Sequence, residues 1–168
     1  MSDPPRYLLD SNVFIEAARR YYAFDLVPQF WDILIAQAKA GRLHSIDRVR
    51  AELDRGKDGL AKWAKQEFAQ WFASTGDPDV IHAYGQIMVW SQEQGQFMKA
   101  AKAEFARADN ADSWVVAYAH AKGLVITTHE QFDPNVKNRV PIPNVSQALG
   151  LRWVDTFQML RELGVKLG

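Results

Sequence analysis

Arg6-Tyr7-Leu8-Leu9-Asp10-Ser11-Asn12-Val13-Phe14-Ile15-Glu16-Ala17 is the stretch around which the rest of this chain can be ordered. Tyr7, Leu8 and Leu9 form a short unbroken apolar run that ends on an acid. A continuous run, rather than an alternating one, suits a strand covered on both faces, as in a parallel sheet. Ligand sites in open parallel sheets lie just beyond the carboxyl ends of the strands, so Asp10 stands where chemistry is usually placed. Ser11 or Asn12 is positioned to cap a helix starting near Val13. Three roles are open to Asp10 at this point: a capping or turn acid, an aspartyl nucleophile of the phosphohydrolase type, or a metal ligand. The nucleophile role wants a second acid two positions on, and Asn12 has no proton to give. The metal role needs carboxylates at other strand ends.

Working outward, residues 13 to 23 predict a helix with Arg19 and Arg20 near its end, where the helix dipole favours cations. Residues 30 to 40 predict a second helix stopped by Gly41, and residues 43 to 46 a second strand. A helix over residues 47 to 53, capped by Asp47 and ended around Gly56, comes next. Strand–helix alternation of this kind implies a parallel sheet with helical covers. Residues 59 to 73 read as helical, and their Trp63, Phe68, Trp71 and Phe72 belong in a core rather than on a base-stacking platform. Gly76-Asp77-Pro78-Asp79 is a turn in which either Asp caps a helix over residues 80 to 94. After Gly95, residues 96 to 107 form another helix.

A helix over residues 109 to 121 opens on acids and is closed by Gly123; Asp109 is expected to cap it. Residues 124 to 128 are the clearest strand, followed at once by His129, Glu130 and Asp133. Pro141, Pro143 and Asn144 read as a loop or edge segment. Residues 151 to 154 make a last short strand, and Asp155 caps a final helix over residues 156 to 163, ended by Gly164.

At 168 residues, 48% hydrophobic and 24% charged, the chain is expected to form one domain spanning residues 1–168. Twenty basic and twenty acidic residues cancel, which excludes a generally basic nucleic-acid coat but leaves room for a local basic rim. The absence of cysteine excludes disulfides and thiolate metal sites. Met1-Ser2-Asp3-Pro4-Pro5 lacks the basic and apolar regions of a leader, and no apolar stretch is long enough to cross a bilayer. The default expectation is a cytoplasmic protein without membrane association.

Carboxylates recur at four organised places: Asp10 after strand one, Glu52 on a helix after strand two, Asp112 at a helix start, and Glu130 after the clearest strand. Acids converging on one sheet edge repel strongly unless a cation is shared among them. Hard oxygen ligands without cysteine point to Mg²⁺ or Mn²⁺. Such ions in an acidic pocket suit phosphodiester hydrolysis, lowering the pKa of bound water and neutralising the scissile phosphate.

These residues carry a resemblance. The stretch from Leu8 to Ile15 is similar to the opening motif of PIN domains, and Arg50-Ala51-Glu52-Leu53 resembles the segment bearing their second acid. Ala111-Asp112-Ser113-Trp114-Val115-Val116 resembles the helix with the third acid, and Val125-Ile126-Thr127-Thr128-His129-Glu130 the strand leading to the fourth. The order and spacing match over nearly the whole chain. The resemblance implies a three-layer α/β/α sandwich with a mainly parallel sheet, and a Mg²⁺- or Mn²⁺-dependent ribonuclease in which Asp10, Glu52, Asp112 and Glu130 hold the metal. It implies an RNA substrate, a cognate antitoxin if the chain is VapC-like, and a homodimer. Ser11 and Asn12 are similar to the polar pair that orients water or phosphate. His129, Arg19 and Lys137 are candidate substrate contacts, with Arg20, Lys57 and Arg139 as further rim cations and Asp109 as a possible fifth acid. Two features depart from the family pattern. Glu130 stands where Asp or Asn is usual, and both the loop after it and the final strand–helix unit are extended. A binding module with weak hydrolysis is the alternative; a flap-type DNA nuclease would call for a helical clamp this chain lacks.

Overall fold

The computed structural model describes residues 3–167; Met1 and Ser2 of the stretch read above as lacking a leader lie outside them. Tyr7, Leu8 and Leu9 are strand β1 and are completely buried, as their unbroken apolar character requires. Around it the chain forms α1 (Ser11–Glu16), a π-helical turn (Ala17–Tyr21), α2 (Pro28–Lys39), β2 (Leu43–Ile46), α3 (Asp47–Arg55) and α4 (Gly59–Gln66). A 3₁₀ turn (Ala69–Trp71), β3 (Phe72–Ala73), α5 (Pro78–Glu93), α6 (Lys99–Phe105) and α7 (Ala111–Lys122) follow. The chain continues through β4 (Val125–Thr127), α8 (Ile142–Ala148), β5 (Trp153–Val154) and α9 (Thr156–Leu163).

The sheet has the order β3-β2-β1-β4-β5, and every pairing is parallel. From β1 the chain moves outward to β2 and β3, then crosses back to β4 on the other side of β1. Right-handed crossovers place the helices of the first excursion on one face and those of the second on the other. Packing agrees within each group, α1 and α4 contacting α3 and α5 and α8 contacting α7, while α3 and α7 also meet each other. The result is an α/β/α sandwich whose switch of direction falls between β1 and β4. That is where an open parallel sheet leaves a crevice at its carboxyl edge.

One face is filled by aromatic rings. Phe14 on α1 meets Phe68 at 5.7 Å, and Trp63 stacks on Phe68 at 5.1 Å and meets Trp31 edge-on at 4.8 Å. The aromatic stripe is therefore core, as expected. Such pairs add about 0.5–1.5 kcal/mol each beyond the area they bury. At the far edge, Arg152, Gln158 and the Tyr7 hydroxyl converge on Glu162, tying the extended β5–α9 unit back to β1.

Several local expectations are corrected. The helix expected over 59–73 stops at Gln66, because Phe72 and Ala73 pair with Ser45 and Ile46 as β3. Residues 141–144 are not a loop: Pro143 lies in the first turn of α8, where its missing N–H costs nothing. The first helix begins at Ser11, with Asp10 rather than Ser11 or Asn12 as its cap, and becomes π-helical after Glu16. Asp47 does not cap α3; its carboxylate instead takes the Thr75 N–H and hydroxyl, fixing the turn after β3. Asn110, not Asp109, caps α7, since Asp109 is drawn away into an ion pair with Arg107. The helix expected from 96 begins at Lys99.

Candidate metal centre

Asp10 caps α1 at the carboxyl end of β1 with only 1% of its surface exposed. Its Oδ1 accepts the Ser11 N–H at 2.8 Å, and its Oδ2 accepts the Thr128 hydroxyl at 3.0 Å. Thr128 follows the adjacent strand β4, so the two central strands hold this carboxylate between them. The same Thr128 oxygen accepts the Asn12 side-chain amide at 3.2 Å and the Glu130 N–H at 3.1 Å. Asn12 completes the lock by accepting the His129 N–H at 3.1 Å. Asn12 and Thr128 thus fix the loop that delivers Glu130.

Asp112 arrives from the other layer, in the first turn of α7, whose N-terminus lies at the same sheet edge. One oxygen from each of Asp10, Asp112 and Glu130 lies within 4.8 Å of the others. Burial raises the Asp10 carboxyl from 3.8 to about 7, with the neighbouring Glu130 and Glu52 charges adding to it and the Thr128 and Ser11 hydrogen bonds opposing it. Asp112 is raised well above its ordinary range by burial and then by Asp10, Glu130 and Glu52. Burial raises Glu130 as well, opposed by Arg139, whose guanidinium lies 3.7 Å from Oε1. Glu130 Oε2 is buried and has no hydrogen-bond partner among the described residues. Three crowded carboxylates, one with an orphaned oxygen, fit a hard divalent cation. The group could hold Mg²⁺ or Mn²⁺.

Glu52 stands beside this trio rather than in it. Its Oε1 accepts the Ala111 N–H at 3.3 Å, which orients the first turn of α7 and hence Asp112. Asp109 does not join. Ser11 is buried, with its hydroxyl 3.5 Å from Asp10 Oδ1. His129 lines a large cleft beside the acids, and its Nε2 is 2.8 Å from the Thr156 hydroxyl. Arg19 is exposed and lines a separate small cleft that also reaches Glu52. Lys137 is exposed on the loop between β4 and α8, and its carbonyl accepts the Met98 N–H. Arg20 pairs with Glu16, and Lys57 sits in a left-handed turn after α3. The residue that sequence reasoning missed is Thr128. Its position, directly after a buried strand and two residues before an acid, was the available signal.

Because Asn12 joins α1 to the loop bearing Glu130, Asn12→Ala is expected to weaken Mn²⁺ binding about 10–100-fold while the chain stays folded. Titration of Mn²⁺ into the variant checks this. Affinity equal to the parent would show that Glu130 needs no such support.

The family model described as "Domain of unknown function (DUF4411)" matches residues 7–167. No curated protein matches this chain. Among solved structures, FitAcB from Neisseria gonorrhoeae is similar at 19% identity and a TM-score of 0.54, over 88% of this chain and 95% of that one. VapBC2 from Rickettsia felis, bound to a DNA fragment from their promoter, is similar at 15% identity and a TM-score of 0.54, over 89% and 97%. VapBC-1 from nontypeable Haemophilus influenzae is similar at 17% identity and a TM-score of 0.53, over 89% and 96%. At these identities the likeness carries the fold, and the fold is PIN-like.

Proposed function

We propose that this chain, which belongs to the family described as "Domain of unknown function (DUF4411)", is a divalent-metal-dependent endoribonuclease. The observation that carries the reading is the convergence of Asp10, Asp112 and Glu130 on one point at the switch of the sheet. A divalent cation there would neutralise charge on a scissile phosphate and lower the pKa of a water. The chain's own residues do the rest. Asp10 is immobilised by Ser11 and Thr128, so its oxygens are already in position when substrate arrives. Asp112 is aligned by the Asn110 cap and by Glu52 acting on the helix start. Glu130 has the longest arm of the three and lines the cleft, and Arg139 beside it favours its ionised form, so it is the group suited to complete the cation's ligands on the cleft side. Arg139 is the basic group best placed to meet a phosphate oxygen.

Residues 1–168 act as one PIN-like unit in this reading. Likeness to FitAcB, VapBC2 and VapBC-1 supports a toxin role with a cognate antitoxin as partner; a homodimer as the working form is part of the proposal. No helix among the described residues is long and apolar enough to cross a membrane, which is compatible with cytoplasmic RNA as the target.

The test is incubation of end-labelled single-stranded RNA with the purified chain in Mn²⁺ and in chelator. Internal cleavage that requires Mn²⁺ is expected. Binding without cleavage at any metal concentration would make the chain a binding module instead.

A further inference from the structure

Glu130 of the metal centre also lines a cleft of about 1250 Å³. Its walls carry Tyr21, His129, Phe132, Trp153 and Phe157, and it reaches the centre at Thr128 and Glu130. Most of the chain's aromatic residues are packed inside, but Tyr21 is 48% exposed and Phe132 39%. They are the two aromatics among the exposed large hydrophobic side chains, and both face this one space. Tyr21 does not hang loose. After Glu16 the helix widens, with the Tyr22 N–H donating to the Ala17 carbonyl at 2.8 Å. Tyr22 is then anchored, stacked on Phe30 at 4.4 Å with its carbonyl taking the Trp31 indole N–H at 2.7 Å. Behind Tyr21, Phe157 stands edge-on at 5.4 Å and His129 lies 6.0 Å away. A helical distortion of this kind commonly marks a functional position.

The charge of the walls decides what the rings are for. Glu16, Glu130, Asp133 and Asp155 line the cleft against Arg139 as the one arginine or lysine lining it. Such a surface repels phosphates. It suits the neutral base of a nucleotide, whose ring stacks on aromatics and whose amino and imino donors meet carboxylate acceptors. The negative part of the same nucleotide belongs at the metal centre, where a cation balances it.

We propose that this cleft receives an unstacked nucleobase next to the scissile phosphate. The inference rests on the nuclease reading and adds a base-binding subsite built from Tyr21 and Phe132, with Phe157 and His129 as its support. In a duplex both faces of every base are already covered, so a paired strand has nothing to offer the rings.

The test measures binding of labelled single-stranded RNA to full-length Asp10→Asn, which keeps RNA intact, alone and combined with Tyr21→Ala/Phe132→Ala. Each strand is compared with one carrying abasic nucleotides. The double substitution touches exposed side chains, so folding should survive, and Tyr21→Phe serves as the conservative control. We expect affinity to fall on the order of tenfold or more with the double substitution. Abasic RNA should bind the unsubstituted cleft as weakly, and Tyr21→Phe should bind like the parent. In the cleavage-competent chain the same substitutions should raise KM more than they lower kcat. Equal binding of base-bearing and abasic strands, or unchanged affinity in the double variant, would overturn the subsite even if the chain cleaves RNA. A preference for base-bearing strands in a chain that never cleaves would support the subsite and remove the nuclease.

Discussion

Asp10→Asn should abolish RNA cleavage while leaving a chain that, without metal, melts higher than the parent. The two effects have one cause. Asp10 is buried between β1 and β4, and the cost of its charge there raises its carboxyl to about 7. An asparagine keeps the shape and can still accept the Ser11 N–H; it gives up the bond from the Thr128 hydroxyl but removes the larger cost of the buried charge. It also removes a fixed negative charge from the metal centre, where charge placement supplies most of the rate in phosphoryl-type chemistry. We expect cleavage to fall about 10³-fold or more, judged against losses of about 10²–10³ for a single electrostatic group elsewhere. Parallel preparations of the two proteins, assayed on one RNA and melted in chelator, check both halves. Equal cleavage would end the mechanism. A melting point lowered by several degrees would show that Asp10 serves the fold rather than the metal.

The second large effect is a metal shift that depends on pH. Without metal, Asp10, Asp112 and Glu130 all hold protons more tightly in the folded chain than in the unfolded one. The stability these protons contribute is full below the unfolded carboxylate range of about 4 and is lost as pH rises through the folded value near 7. Metal-free melting temperature should therefore decline between about pH 4 and pH 7. Mn²⁺ needs the ionised carboxylates, so its stabilisation should grow across the same window and level off above it. At a hundred times its dissociation constant an ion bound only by the folded state contributes about 2.7 kcal/mol. For a chain of this size that is a rise on the order of 5–10 °C. Melting curves with Mn²⁺ and with chelator at several pH values check it. A metal shift as large at pH 5 as at pH 8 would place the ion on exposed acids instead.

How much of this was legible beforehand follows from how each signal is written. β1 and β4 were readable because strands buried on both faces must be continuously apolar, and β5–α9 because Asp155 and Gly164 mark both ends of its helix. The acids were readable because parallel-sheet topology forces strand ends and helix starts onto one edge. β3 was not: two residues, Phe72 and Ala73, carry no period, and only the neighbouring β2 makes them a strand. α8 was hidden by its prolines, which look like breakers unless the helix start is known. The division of labour among the acids was equally invisible. Glu52 and Asp112 look alike in the sequence, yet only the packing of α3 on α7 turns Glu52 towards a backbone N–H while Asp112 joins Asp10. The cleft required Tyr21 to be turned outward by a π-helical turn, which no residue pattern announced.

The account stands on one cation shared by three carboxylates, and crystals soaked in Mn²⁺ and measured at its absorption edge test that most directly. The predicted result is an anomalous peak enclosed by Asp10, Asp112 and Glu130 that disappears in Asp10→Asn crystals treated alike. Mn²⁺ found only on exposed acids such as Asp77 and Asp79, with the buried trio empty at saturating concentration, would contradict it.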